Sequence, residues 1–213
     1  MPKTDNFIHI PKNVCAKLGL KAGQLVTVSV GNKKARTRVT EGLSNTPETV
    51  LLSDRLAATL NIPGGMEFGI TRLENQLKIG PLIGILAKQY RNGTFGQDSF
   101  YRKLLFQLKK HNCIGMVFTP QSINWERHII NGYWLPNSGS NVWKSREFPF
   151  PDVVYNRYFR KDGDPWSYPI LNRMSKLGVK SFNAPMGSKW RIHRLLSREK
   201  DIKDHIPETH VLA

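Results

Sequence analysis

Apolar residues recur at helical spacing in two short segments near the start of the chain, and an alternating segment follows each of them. Val14 and Leu18 mark the first helical segment, and Leu56 and Leu60 mark the second. An offset of 42 residues superimposes the two copies. The identical pairs are Ala16 with Ala58, Leu18 with Leu60 and Gly23 with Gly65, and the pairs that stay apolar are Ile10 with Leu52, Val14 with Leu56, Leu20 with Ile62, Val26 with Phe68 and Val28 with Ile70. The pattern predicts an internal repeat.

Each copy predicts the same order of elements. Pro11 or Ser53 begins a short helix, a glycine turn follows, and a strand with alternating apolar residues comes next. Further strands are predicted at 34–39 and 49–52. Neither copy has enough apolar residues to form a core alone, so we expect the two to interlock in one small barrel. This arrangement resembles a double-psi β-barrel, and the alternative is a chance likeness between two short amphipathic helices.

A second pattern begins near Gly80-Pro81. The apolar run from Leu77 to Ala87 predicts a strand that is buried on both faces. Beyond it, helices are predicted at 98–111, 167–177 and 189–198, and strands at 114–118, 131–135, 142–144, 149–155 and 179–183, with a turn at 137–141. Alternation of strands and helices predicts a layered α/β sheet with right-handed crossovers. We therefore predict two domains, 1–79 and 80–213.

Charge adds a preference for anionic partners. The 213 residues include 32 Lys and Arg against 16 Asp and Glu, a net charge of +16, and residues 81–213 carry most of the excess. No window approaches the ~20 continuous apolar residues of a membrane helix. The first residues lack the apolar stretch of a secretory signal. Cys15 and Cys113 have apolar neighbours and suit a reducing compartment, so we expect a cytoplasmic protein without disulfides.

Motifs of common enzymes are missing from the sequence. It has no phosphate loop, no dinucleotide glycine pattern, no GxSxG elbow and no Cys or His spacing typical of a metal site. The predicted C-terminal helix, which includes Lys189, Trp190 and Arg194, is either a surface for a phosphate backbone or an ordinary amphipathic helix with a solvated basic face. No motif for specific nucleic-acid readout supports the first alternative.

Several short segments follow one another in an order typical of one family. They are Gly80–Leu86, Phe148–Arg157, Val179–Asn183, Lys189-Trp190, Leu195-Leu196 and Ile206–Thr209, of which Phe148–Arg157 is the most specific. In this order the sequence resembles the YheC/YheD family of endospore coat-associated, ATP-grasp-like proteins. The resemblance covers most of residues 80–213, and the front part is similar to the N-terminal part of longer members.

The resemblance implies a pre-ATP-grasp (Rossmann-like) α/β domain at 80–213 that leads to an ATP-grasp domain. It also implies that complete relatives are ATP- and Mg²⁺-dependent carboxylate ligases linked to coat assembly, in the mother cell or the spore coat. Their nucleotide lysines and magnesium carboxylates would follow Thr209, where only His210–Ala213 remain in this chain. We therefore expect no ATP, Mg²⁺ or catalytic residue in this chain, and no ligase activity from it alone.

Three residues at matched positions are candidates for binding an anionic small molecule or coat component. Arg157 ends a predicted strand, where α/β sheets present ligand groups, and it either clamps an anion or pairs with Asp152 or a neighbouring helix. Asn183 either faces the same crevice or shapes a turn. Lys189 contacts phosphate or an adjoining domain, or is simply solvated. The alternative function is a non-catalytic basic module that binds nucleic acid or an acidic coat polymer through residues 81–213.

Overall fold

The computed structural model of the chain describes residues 6–41, 50–64, 66, 68–74, 76–88, 95–136, 142–158, 167–183 and 189–210. These residues form a mixed α/β structure with two sheets and five α-helices. Gly65 and the predicted turn at 137–141 lie outside the described residues. In the part of the chain that is described, no helix is both long and apolar enough to cross a membrane.

The first sheet has six strands in the described residues, in the order β4-β1-β3-β2-β6-β5. In chain order, its strands and helices are β1 (Phe7–Ile10), α1 (Lys12–Leu18), β2 (Leu25–Val30), β3 (Lys33–Glu41), β4 (Leu51–Leu52), α2 (Asp54–Leu60), β5 (Ile70–Leu73) and β6 (Gln76–Ile79). β1 is parallel to β3, and β2 is parallel to β6. The remaining pairs are antiparallel.

The repeat is visible in the helices of this sheet. α1 and α2 have seven residues each and lie 42 positions apart, and each ends at a residue with left-handed backbone, Gly19 (φ 61°) or Asn61 (φ 54°). The Ser53 hydroxyl accepts a hydrogen bond from the Leu56 amide, whereas Pro11 makes no side-chain cap. The helical part of the predicted repeat is therefore confirmed. The closed double-psi topology stays a prediction, because the described pairings run in one open order from β4 to β5.

The second sheet combines parallel and antiparallel strands, and its main order is β11-β10-β8-β7-β12-β13. In chain order its elements are β7 (Leu82–Leu86), α3 (Asp98–Lys110), β8 (Ile114–Phe118), β9 (Ile123–Asn124), β10 (Ile129–Trp134), β11 (Lys144–Pro149), β12 (Val153–Asn156), α4 (Ser167–Lys176) and β13 (Lys180–Phe182). After it come α5 (Lys189–Leu196) and a 3₁₀ turn at Lys203–His205. Strands β8, β7, β12 and β13 are parallel, and β9, β10 and β11 add an antiparallel side.

Two predicted strands are each divided in the structure. The apolar run from 77 to 87 forms the end of β6 and all of β7, because the chain turns at Gly80 with φ 100°. The predicted strand at 149–155 instead contributes the last residue of β11 and then, after Phe150–Asp152, most of β12. Pro149 and Pro151 explain this break, since proline cannot donate a ladder hydrogen bond.

The two sheets meet along a seam that includes backbone contacts. The Asn32 amide donates to the Phe150 carbonyl oxygen at 3.1 Å, and the Asn32 side-chain oxygen accepts from the Phe150 amide at 2.9 Å. The Lys78 ammonium lies 2.7 Å from the Asp152 carboxylate. One hydrophobic cluster includes Val28 from the first sheet and Phe148 from the second. The boundary between sheets coincides with the predicted position near residue 80, while two independent domains remain a prediction.

Candidate functional site at the carboxyl edge of the second sheet

The strand order of the second sheet reverses at the carboxyl ends of β7 and β12. From β7 the chain passes through α3 to β8 on one side, and from β12 it passes through α4 to β13 on the other. β7 and β12 are paired side by side and parallel, from Val153 opposite Ile83 to Asn156 opposite Leu86. In open α/β sheets, ligands bind outside the carboxyl ends of strands where the order reverses in this way. This edge is therefore the candidate site of the second sheet.

Arg157 lies at this edge, directly after β12. Its amide donates to the Leu86 carbonyl at 2.8 Å, which fixes its backbone against the end of β7. Its guanidinium donates to the Gln97 side-chain oxygen at 2.6 Å, and Cζ lies 5.1 Å from the centre of the Phe100 ring. Asp152 lies at the other end of β12 and pairs with Lys78. Arg157 is thus oriented by the start of α3.

Asn183 reaches the same edge from β13. Its backbone is left-handed, with φ 62°, and its side-chain amide donates to the Asn156 carbonyl at 2.8 Å. The structure therefore brings Asn183 beside the residue that precedes Arg157. This hydrogen bond supports the turn-shaping interpretation of Asn183, and it also holds the end of β13 against the end of β12.

Asn156 is a member of this edge that the sequence reasoning missed. Its side chain is fully buried, its amide donates to the Ser167 hydroxyl at 3.2 Å, and its oxygen accepts from the Tyr158 amide at 3.1 Å. A buried polar side chain needs such partners, because an unsatisfied amide in the core costs about 1–3 kcal/mol. The sequence signal that could have indicated Asn156 is its position as a polar residue directly after the apolar strand residues Val153–Tyr155. Asn156 thus joins β12 to the start of α4.

Aromatic rings surround the arginine. Tyr155 stacks on Phe182 with ring centres 4.7 Å apart and planes 10° apart, and the Phe182 side chain is 51% exposed. Arg157 Cζ lies 5.9 Å from the Tyr155 ring centre. Lys88, exposed just beyond β7, adds a second cation near the end of a neighbouring strand. The edge therefore offers positive charge beside flat apolar faces, which suits an anionic group carried on an apolar or planar body.

The first turn of α3 is anchored by Asp98. Its carboxylate accepts from Arg102 at 2.5 Å and from the Trp143 indole at 2.6 Å. The hydrogen bond from Arg102, followed in size by that from Trp143, lowers the pKa of Asp98 against the opposing effect of burial. Because Gln97 immediately precedes Asp98, these contacts also fix the residue that orients Arg157.

The third candidate is separate from the other two. Lys189 begins α5 and is exposed, and in the described residues no hydrogen bond, ion pair or ring contact joins it to Arg157 or Asn183. α5 buries none of its own residues. The solvated interpretation of Lys189 and its role toward an adjoining domain both remain predictions.

Within the described ranges, no group of three or more His, Cys, Asp or Glu side chains is arranged to hold a metal ion. Cys15 and Cys113 are free thiols, and burial raises the pKa of each. The expectation about ATP and Mg²⁺ stays a prediction, and we derive no step through a nucleotide.

A cleft of about 270 Å³ lies at the opposite edge of the sheet, along the seam. Its lining includes Asn32, Lys78, Asp152 and Lys180. The Asp152 carboxylate is already shared between Lys78 and the Leu82 amide, at 2.7 and 2.9 Å. Lys78 and Asp152 are thus engaged in joining the two sheets at this cleft, and the carboxyl edge remains the better candidate for a ligand.

Comparison with known proteins gives one informative relative. The chain is 25% identical over 215 residues to the endospore coat-associated protein YheD of Bacillus subtilis (strain 168), and the alignment covers 98% of this chain and 45% of that protein. The chain thus spans less than half the length of the relative. No family model matches the chain, and no solved structure matches it either.

Proposed function

We propose that this chain, which is related to the YheC/YheD family, is a spore-coat-associated protein that binds an anionic ligand at the carboxyl edge of its second sheet. The observation that carries the coat association is the similarity to a coat-associated protein over 98% of the chain. The resemblance in the sequence predicted the relationship to the YheC/YheD family, and the comparison confirms that relationship. The ligand site is argued from Arg157 and its neighbours.

Arg157 is suited to anion binding by its position and by its surroundings. It lies where strand order reverses, its backbone is fixed by Leu86, and its guanidinium is oriented by Gln97. A planar guanidinium presents donors that match two oxygens of a carboxylate or phosphate. The Phe100 ring beside Arg157, and the exposed Phe182 ring that stacks on Tyr155, provide apolar surface at this edge. We infer that the ligand carries a carboxylate or phosphate on an apolar or aromatic body.

The wider proposal concerns the complete relatives. We propose that they use ATP and Mg²⁺ to activate a carboxylate, with the part corresponding to this chain contributing the edge at Arg157. We assign the nucleotide chemistry of the complete relatives to none of the described residues. For this chain we predict binding without ligation.

The coat proposal is tested in sporulating cells. We would express the chain fused to a fluorescent protein in sporulating Bacillus subtilis and image the developing spores. Fluorescence in a ring around the forespore is expected. Fluorescence spread evenly through the mother cell, from an intact fusion, would contradict the association.

The anion site is tested by nuclear magnetic resonance. Phenyl phosphate and phenylacetate, titrated into the ¹⁵N-labelled chain, are expected to shift the Nε–H signal of Arg157 and the amide signals of Asn183 and Phe182. Arg157→Gln should remove binding, while Arg127→Gln, which also removes one cation, should keep it, because Arg127 pairs with Glu147 on the antiparallel side of the sheet. Equal weakening by both variants would show only an effect of net charge.

A second candidate function is nucleic-acid binding through α5. Trp190 is 42% exposed and stacks on His193, and it lines a shallow surface with Arg191, Arg194 and Arg198. An exposed indole among arginines suits a base stacked beside a phosphate backbone. Titration with oligo-dT at two salt concentrations tests it, and a steep loss of affinity with salt is expected. Salt-independent binding, or none, would reject this candidate.

A further inference from the structure

The outer face of the first sheet carries side chains that take no part in the core. Residues alternate along each strand, so that Ile8, Val28 and Val39 are fully buried while their neighbours point the other way. We call the second set the outer face. From the strand registers it comprises Phe7, His9, Leu25, Thr27, Ser29, Lys34, Arg36, Arg38, Thr40, Leu51, Thr71, Leu73, Gln76 and Lys78.

Positive charge runs along the middle of the outer face. Lys34, Arg36 and Arg38 occupy successive outward positions of β3, all are exposed, and neighbouring cations lie roughly 7 Å apart along the strand. On β2 they face Ser29, Thr27 and Leu25. None of the outward strand positions described in this sheet is Asp or Glu. The charges of β3 are therefore not balanced within the face.

Exposed apolar residues flank this row of cations. Phe7, Leu25, Leu51 and Leu73 are 38, 67, 46 and 59% exposed, and all four belong to the outer face. The helices of the repeat pack on the other side of the sheet, since Leu56 and Leu60 join the buried cluster. Toward the seam the face is partly covered, since Lys78 pairs with Asp152 of the second sheet and Ser29 is only 8% exposed. No described element covers the exposed part of the face that includes Arg36, Arg38 and the four apolar residues.

We propose that the outer face is a docking surface for an acidic polypeptide that also carries apolar side chains. Carboxylates complement the row Lys34, Arg36 and Arg38, and the exposed leucines give such a partner apolar surface to bury. A nucleic acid would find the charges but only one exposed aromatic ring, Phe7, on which to stack a base. This surface lies on the other sheet from Arg157 and goes beyond the proposed function.

The test compares two probes and two charge variants of the full chain. The probes are a dye-labelled 12-residue peptide of four Glu-Leu-Glu repeats and a 12-nucleotide oligo-dT, each followed by fluorescence anisotropy. The face variant is Lys34→Gln/Arg36→Gln/Arg38→Gln. The matched control, called the α5 variant, is Arg191→Gln/Arg194→Gln/Arg198→Gln, which removes the same charge from α5 and the residues just after it. Circular dichroism checks that both variants fold.

The expected result is specific to the face. The peptide should bind the wild-type chain more tightly than oligo-dT does, and the face variant should weaken it by about tenfold or more, because three charge contacts are lost together. The α5 variant should change peptide affinity by less than about twofold. In addition, Leu25→Ser/Leu73→Ser should weaken binding of the peptide but not binding of poly-L-glutamate. If the face variant does not fold, this double substitution tests the proposal in its place.

Three results would overturn the proposal. One is tighter binding of oligo-dT that is lost in the face variant, which would make the surface a nucleic-acid site. Another is equal weakening by the two charge variants, which would reduce the effect to net charge. The third is the absence of measurable peptide binding at low salt.

Discussion

A methyl group added at Gly31 tests whether the two sheets pack as closely as the structure indicates. Gly31 lies in the turn between β2 and β3 with φ 50°, and a Cβ there would overlap the Phe150 carbonyl oxygen and lie 3.1 Å from its carbon. A carbonyl of a neighbouring sheet cannot swing aside as a side-chain tip can. Gly31→Ala must therefore separate the backbones at the seam.

The magnitude follows from three costs. Left-handed backbone at alanine costs about 1 kcal/mol, and forcing packed groups apart costs about 1–3 kcal/mol more. The two hydrogen bonds between Asn32 and Phe150, at 3.1 and 2.9 Å, would stretch, at about 1 kcal/mol each. We expect Gly31→Ala to lower the free energy of unfolding by about 4–6 kcal/mol and Tm by roughly 10–20 °C.

Gly23→Ala is the matched control. Gly23 also has a left-handed backbone, with φ 80°, but no atom lies within 4 Å of a Cβ added there. It should therefore show only the backbone cost of about 1 kcal/mol. Urea unfolding of both variants, followed by circular dichroism, gives the comparison. If the two lose equal stability, the close approach of Gly31 to Phe150 does not exist in solution.

Three further substitutions probe contacts near the edge and the seam. Asn156→Ala should cost about 2–3 kcal/mol in urea unfolding, since it leaves the Tyr158 amide without its acceptor, and a loss below about 0.5 kcal/mol would contradict the buried network. Asp152→Ala should lower the free energy of unfolding more than Lys78→Ala does. The Asp152 carboxylate also accepts from a backbone amide at 2.9 Å, whereas the Lys78 side chain is 34% exposed. A larger loss in Lys78→Ala would contradict this contribution of the backbone amide. Asp98 has a lowered pKa in the folded chain, so its contribution is present above its unfolded pKa of about 3.9 and is lost as pH falls through the lower folded value. The free energy of unfolding of the wild type should therefore exceed that of Asp98→Asn at pH 6, and the difference should shrink as pH falls below the unfolded pKa. A difference that does not change with pH would refute the role of the charge.

Local patterns predicted the elements of the chain well where the signal lies within one segment. The repeat at an offset of 42 correctly predicted two helices, and both occupy seven residues. Ile114–Phe118 is the strand that its apolar run indicates, and Asp98–Lys110 is a helix one residue shorter than predicted. Burial of one face of a short element is decided by its own residues, so such features can be derived from sequence.

Pairings between distant segments were beyond this reasoning. Nothing in β2 or β6 alone indicates that Val28 lies opposite Leu77 in a parallel pair, or that Asn32 bonds to Phe150 across 118 positions. The division of the apolar run at Gly80 was unpredicted for the same reason, because its two parts pair with strands of two different sheets. Asn156 was missed because its role depends on hydrogen bonds to Ser167 and Tyr158, and both partners lie outside the strand that the pattern indicates.

The same distinction explains why the edge at Arg157 could be predicted from the sequence and the outer face could not. Arg157 and Asn183 were selected because each ends a strand, and a parallel sheet collects strand ends at one edge whatever its detailed order. The outer face depends instead on which strands lie side by side. Lys34, Arg36 and Arg38 form a recognisable row on β3 alone, but Leu25 and Leu73 join it only through the pairing of β3 with β2, of β2 with β6 and of β6 with β5. A row of cations on one strand is compatible with any anionic partner. The preference for an acidic polypeptide comes from those neighbouring leucines, and for that reason Leu25→Ser/Leu73→Ser is the variant that tests the sheet and the partner together.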